Sequence, residues 1–343
     1  MGALFSKNQF PVDGRVVLIT GGSRGTGLEA GRQLAANGAD VVVVARDAER
    51  LQQAVFYIQE GAIRPETQRF HFISADLTDP SEAQRIMGEV VAWNLGSPPD
   101  IVWCCAGATH PTLFIDTPVD QFRAIMDANY FTAVYMAQAA LQAWLRPPLT
   151  PSSSKTGGTT AVQIAPPPLP RHLIFTASFL SFYSITGYSP YSPSKAALRS
   201  LSDSLSQEMN LYAGAYPDQP RVRIHTVFPA TIYTESYAAE DLIKTDVTKK
   251  LEEADEGQTA EEVARLSIRG LEAGQELIAT DLLTRLVMTT VMGGSVRGGI
   301  WRGLGTWIVG CFISVVMLYV RATHDSVARK WGKENGASGM KRV

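Results

Sequence analysis

Tyr191 and Lys195 close the stretch Tyr191-Ser192-Pro193-Ser194-Lys195, and on a helix residues four apart share a face. An ammonium beside a phenol favours phenolate and draws the tyrosine pKa down from about 10. Tyr191 could then hand its proton to an oxygen on its way to alkoxide. A second chemical cluster lies near the amino terminus, in Thr20-Gly21-Gly22-Ser23-Arg24-Gly25-Thr26-Gly27. Glycines placed between a strand and a helix let the backbone come close to a pyrophosphate, which the free N–H groups and positive end of the helix attract. Gly21, Ser23, Arg24, Gly25 and Gly27 are the candidates for that cradle. Further on, Ala45-Arg46 ends the second apolar run, where an NAD site usually places an acid for the ribose hydroxyls. Arg46 there, with Arg24 in the turn, can make charge-assisted bonds to a 2′-phosphate, so the pair favours NADPH. Asp47, one residue on, is the nearby carboxylate that competes with this reading.

These groups need elements to hold them. Residues 15–20 (RVVLIT), 41–46 (VVVVAR), 69–74 (RFHFIS), 101–105, 172–176 (HLIFT), 222–228 and 276–280 (ELIAT) are apolar, β-rich runs. Continuous apolar runs mark strands covered on both faces, as in parallel sheets. Helical stretches separate them, LEAGRQLAANG among these, ending at Gly38. The alternation predicts a Rossmann-type α/β domain, a doubly wound parallel sheet with right-handed crossovers, over residues 14–281, after an amino-terminal tail of residues 1–13. Residues 147–170, rich in Pro, Ser, Thr and Gly, read as an exposed, disordered insertion.

The Gly-x-x-x-Gly-x-Gly turn and the Tyr-x-x-x-Lys pair together resemble the short-chain dehydrogenase/reductase family over most of residues 14–280. The resemblance implies roles for further positions. Ser178, thirteen residues before Tyr191, is the hydroxyl that bonds the substrate carbonyl, with Ser181 a rival at the wrong spacing. Asn129 is the fourth catalytic residue, relaying protons through a water near Lys195, which also holds the nicotinamide ribose. Asp76, with Leu77 beside it, faces the adenine ring, although Asp76 or Thr78 could equally cap a helix. Ala106 and Gly107 pack against the adenosine, after Cys104 and Cys105 in the place of two asparagines; those thiols read as packing groups. Pro229, Thr231 and Thr234 lie on the nicotinamide side, Thr234 the favoured carboxamide contact, and residues 233–256 form the substrate lid. Tyr188 is a pocket wall.

The last part of the chain sets the compartment. Residues 303–320 carry no charge between Arg302 and Arg321, and eighteen helical residues reach about 27 Å, close to the thickness of a bilayer's hydrocarbon. With an amphipathic stretch before them, residues 282–322 predict a membrane anchor, read as a hairpin with both ends cytosolic, followed by a basic tail at 323–343. Gly2 and Ser6 fit a myristoylation pattern. The net charge of -2 speaks against nucleic acid, and three cysteines without zinc spacing provide neither a disulfide framework nor a metal site. A ketone reductase held at a membrane suggests a lipid substrate. TGGSRGTG, MDANYF, YSPYSPSKAALRSLSDSLSQE and FPATIYTESYAAED are similar to the fungal 3-ketodihydrosphingosine reductases of the same family. That resemblance implies NADPH-dependent reduction of a long-chain keto-lipid in sphingolipid synthesis at the endoplasmic reticulum membrane, the catalytic domain facing the cytosol. Family members often assemble as dimers or tetramers, so a homo-oligomer is open. The alternatives are a related membrane reductase of steroids, retinoids or 3-ketoacyl chains, and a non-catalytic NADP(H)-binding scaffold.

Overall fold

A computed structural model describes residues 8–145, 168–253, 255–295, 297 and 299–341. Gly2 and nearly all of the 147–170 insertion lie outside these. Seven strands form one parallel sheet: β1 (Val16–Thr20), β2 (Asp40–Ala45), β3 (Phe70–Ser74), β4 (Ile101–Cys104), β5 (Arg171–Thr176), β6 (Val222–Phe228) and, after a small pair β7 (Ile232–Tyr233) and β8 (Gln258–Thr259), β9 (Leu277–Ala279). Their order is β3-β2-β1-β4-β5-β6-β9. The order reverses between β1 and β4, and in such sheets a crevice opens beyond the carboxyl ends of the strands at that point.

Side chains alternate across a strand, and the two faces divide accordingly. Val16, Leu18, Val42 and Val44 join one core under α3 (Pro80–Trp93), α5 (Thr132–Leu145) and α6 (Ser192–Ala215). Val17, Ile19, Val41 and Val43 join the other, under α1 (Gly25–Ala36), α2 (Ala48–Glu60) and α9 (Ala260–Glu272). Both faces being covered is why the runs are apolar without a break. Phe10 and Val12, in the stretch read as a tail, are buried in the second core.

Helix α4 (Val119–Met126) leads through a π turn at Asp127–Phe131 into α5, and α7 (Glu235–Ile243) and α8 (Asp246–Leu251) sit in the segment expected to be the lid. Two helices close the chain: α10 (Leu282–Val291) and α11 (Ile300–Asn335). Helix α11 runs straight through residue 322, so the boundary expected there between anchor and basic tail is not a structural one. It is long and apolar enough to cross a membrane. Helix α11 is tied to the domain at both ends. Arg297 bonds Asp203 and Glu276 before α11, and after it Val247 N–H donates to the Gly339 carbonyl at 3.0 Å.

Under the sheet lies a fully enclosed histidine pair on β5 and β6. His225 Nδ1 faces the Gln275 carbonyl at 2.8 Å and therefore carries the proton; His225 Nε2 then accepts from His172 Nδ1 at 3.0 Å. His172 Nε2 is left as a lone pair without a partner among the described residues. Burial, then the neighbouring His225, Arg15 and Arg223, holds His172 down to about 2. Burial, with Arg223 and Arg297 adding to it against the Gln275 bond, holds His225 down to about 3. Both folded values lie below the unfolded one, so the stability they contribute is present above about pH 6.5 and is lost as pH falls. The unfolding free energy should drop below that pH at up to about 1.4 kcal/mol per unit for each ring. Urea unfolding at pH 7 and pH 5 measures it, and glutamine at both positions should flatten the dependence.

Candidate active site

The crevice at the switch point is a cleft of about 1470 Å³, lined by the carboxyl ends of the strands, the lid helices and the closing hairpin. Every residue expected at the site lines it except Asn129. Strand β5 ends at Thr176 and delivers Ser178, whose Oγ accepts from Leu180 N–H at 3.1 Å, which leaves the hydroxyl proton to give. Tyr191, just before α6, lines the cleft together with Ser178. One turn into α6, Lys195 donates to the Thr176 carbonyl at 2.9 Å, and its Nζ lies 5.7 Å from the centre of the Tyr191 ring. Ser181 does not line the cleft; its Oγ is buried elsewhere, without a partner among the described residues.

The electrostatics differ from the expectation that Lys195 acidifies Tyr191. Burial raises the phenol well above its ordinary range; the Ser178 hydroxyl opposes this and the Glu240 charge adds to it. Burial also lowers Lys195, to about 8, against a smaller opposing effect of Cys105. A desolvated ammonium gives up charge instead of imposing it. Tyr191 is thus a firmly protonated donor at neutral pH, the state a reduction requires.

Asn129 is fully buried in the π turn, a distortion frequent at functional sites. Its amide donates to the Ala108 carbonyl and to Ser194 Oγ, both at 2.9 Å, and its oxygen accepts from Ala108 N–H at 2.8 Å. These bonds staple the Gly107–Ala108 backbone to α6 beside Lys195. A Cβ on Gly107 would stand 2.7 Å from Asn129 Oδ1 and 3.3 Å from Lys195 Nζ, so any side chain there would displace one or both of these groups. Asn129 thereby ties the catalytic helix to the backbone that follows β4.

The residues fit a dinucleotide. A Cβ on Gly21 would meet Ala106 N at 2.7 Å, and Gly25 holds a φ of +57° that side chains resist. Arg24 precedes α1 without a side-chain cap, and the first turn has no acid, so its N–H groups remain open towards an anion. Asp47 is spoken for: it accepts from Arg50 N–H at 3.0 Å and caps α2. Arg50, which the sequence reading passed over, also lines the cleft but is bonded to Glu235 at 3.0 Å. Arg24 and Arg46 are exposed in the cleft wall and pair with no carboxylate among the described residues. Asp76 accepts from Thr78 N–H at 3.1 Å in a tight turn, while Asp79 caps α3. Cys104 is core, and burial pushes the Cys105 thiol up to about 12, so neither is a nucleophile. Thr231 gives its proton to Asp255, whereas Thr234 accepts from Tyr237 N–H at 3.2 Å and keeps its proton.

Long-range partners complete the wall and were hidden from sequence. Tyr188 donates to Glu240 at 2.8 Å and Thr109 donates to the same carboxylate at 2.6 Å, latching α7 to the domain. Buried Lys244 bonds Glu252 at 2.7 Å. The i,i+4 spacing of Glu240 and Lys244 was the available signal. At the far end, Tyr183 meets His324 of α11 at 3.0 Å.

Comparison with known proteins agrees with this geometry. The family model for short chain dehydrogenase matches residues 15–159. The chain is 44% identical over 341 residues to the 3-ketodihydrosphingosine reductase ksrA of Aspergillus fumigatus, covering 97% of this chain and 88% of that one. It is 41% identical over 337 residues to the 3-ketodihydrosphingosine reductase gsl-3 of Neurospora crassa, covering 98% and 87%. Among solved structures, a short-chain type dehydrogenase/reductase from Mycobacterium marinum aligns with a TM-score of 0.63 at 24% identity, over 80% of this chain and 96% of that one, a likeness of fold.

Proposed function

The chain belongs to the short-chain dehydrogenase/reductase family, and on that premise we propose that it reduces 3-ketodihydrosphingosine to dihydrosphingosine with NADPH, in sphingolipid synthesis. The observation that carries this reading is a single cleft uniting three features. Tyr191, Ser178 and Lys195 stand together, a glycine cradle flanked by two unpaired arginines lies on one side, and apolar walls from α10 and α11 lie on the other. Bound NADPH supplies the hydride to the ketone carbon. Ser178 and Tyr191 hydroxyls, which line the same cleft, meet the charge that grows on the substrate oxygen. Tyr191 gives its proton there, and Lys195, near its own titration point, is placed to restore it.

A pH profile follows. Lys195 passes from charged to neutral near pH 8 in the free enzyme, so kcat/KM for reduction should be level below that pH and fall above it. A profile level through pH 9.5 would remove Lys195 from the proton path.

We propose further that the hairpin rests on the endoplasmic reticulum membrane with the catalytic domain in the cytosol. Both ends of α11 are bonded to that domain, which keeps them on one side. Digestion of sealed microsomes should remove a carboxyl-terminal tag; protection of the tag would overturn this placement. The activity is tested with purified full-length enzyme, NADPH and 3-ketodihydrosphingosine, with dihydrosphingosine detected by mass spectrometry. Turnover of a ketosteroid with none of the sphingoid ketone would sink the substrate assignment.

A further inference from the structure

Helix α11 is not confined to the role of an anchor. Its inward positions recur at intervals of three and four, through Gly310, Ile313, Met317, Val320 and His324. This seam follows the protein while Phe312, Val315, Leu318 and Tyr319 face outward, each more than two-thirds exposed. At Gly310 the contact with α10 is close: a Cβ there would stand 2.5 Å from the Thr289 carbonyl. Towards the first turn of α10 the seam changes partner. Met317, Val320 and His324 line the cleft that holds Tyr191, together with Leu283 and Val287 of α10. Leu282 and Leu283 line it and are also 71% and 59% exposed, so they stand at its mouth.

That mouth coincides with a change in the helix. Residues 303–320 are uncharged, and from Arg321 onward charges return, Arg321 pairing with Asp325 at 3.1 Å. A helix whose outer face is this apolar seats in hydrocarbon up to the first charges, which remain among the headgroups. The cleft therefore opens at the depth where an amphiphile's polar end meets its chain.

We propose that α11 is a wall of the substrate site: the keto-lipid enters sideways from the bilayer at the α10–α11 mouth, and its alkyl chain lies against Val287, Met317 and Val320. This deepens the substrate reading above and rests on it. A substrate that never leaves the bilayer is spared the cost of exposing its chain to water.

The test uses full-length enzyme in phosphatidylcholine vesicles, with a long-chain 3-keto sphingoid base and a truncated, water-soluble analogue. Val320→Trp and, separately, Met317→Trp should lower the ratio of long-chain to short-chain kcat/KM by about tenfold or more. Leu318→Trp, on the outward face, should leave that ratio alone. A ratio unmoved by the first two variants, or moved equally by all three, overturns the proposal. A dihydrosphingosine probe carrying a diazirine in its chain supplies a readout independent of turnover. Label on α10 and the inward residues of α11 supports the channel; label confined to outward residues, or absent, refutes it. Failure of the wild type to reduce the long-chain base, with inward labelling intact, would strike the substrate assignment and not the channel.

Discussion

Replacing Tyr191 by phenylalanine should lower kcat for ketone reduction by about 10²–10⁴-fold, the usual worth of a positioned proton donor. Affinity for NADPH should change by no more than a few-fold. The ring keeps its place, because its surroundings are set by packing: it meets Tyr188 edge-on with ring centres 6.0 Å apart and lies beside Lys195. What is lost is the one proton aimed at the substrate oxygen. Ser178 cannot take over the donation, because its hydroxyl has no basic neighbour comparable to Lys195 and its oxygen is engaged with Leu180 N–H. Fluorescence titration with NADPH, alongside single-turnover kinetics, separates the two quantities. Unchanged turnover would show that the proton comes from elsewhere, and with it the catalytic assignment would fall. Loss of binding together with turnover would mean that the phenol holds the cofactor more than it serves the substrate.

The sheet was open to sequence reading because its physics is local. Strands buried on both faces must be apolar throughout, and VVVVA between an aspartate and an arginine admits few other readings. The glycine turn and Tyr-x-x-x-Lys were legible for the same reason: one backbone conformation and one helical face fix them. The charge state of the pair was not. Whether an ammonium acidifies a phenol depends on whether the ammonium keeps its own charge, and that depends on burial supplied by β4, β5 and the lid together. Asn129 shows a similar limit. Its residue type suggested a proton relay; that it also ties α6 to the Gly107–Ala108 backbone was hidden, because its partners Ala108 and Ser194 come from segments 21 and 65 residues away. The tail was half legible. Composition exposed an apolar helix, and the seam of small and inward residues that ties it to α10 and the cleft became visible only once α10 lay beside it. Nor could Phe10 be placed, since its partner His172 lies on a strand far along the chain.

The cofactor preference gives the second large effect. Arg24→Ala with Arg46→Ala should reduce kcat/KM with NADPH by about a hundredfold, while kcat/KM with NADH moves by only a few-fold. A hydrogen bond to a charged group is worth about 1.5–3 kcal/mol, and exposure of both guanidinium groups sets each at the low end, about 3 kcal/mol for the pair. The difference between cofactors, and not the loss itself, is diagnostic. NADH lacks the 2′-phosphate but has the same pyrophosphate, so arginines that served only the pyrophosphate would cost both cofactors alike. Asp47 does not offer NADH a compensating site, because its carboxylate is turned into the cap of α2 and towards Arg50. Removing the arginines therefore produces a poor NADPH enzyme without making a good NADH one. Raising the ionic strength should erode the wild-type preference in the same direction, since exposed charges are screened within about 8–10 Å at physiological salt and less as salt rises. Equal losses with both cofactors, or a preference indifferent to salt, would place the 2′-phosphate away from these two side chains.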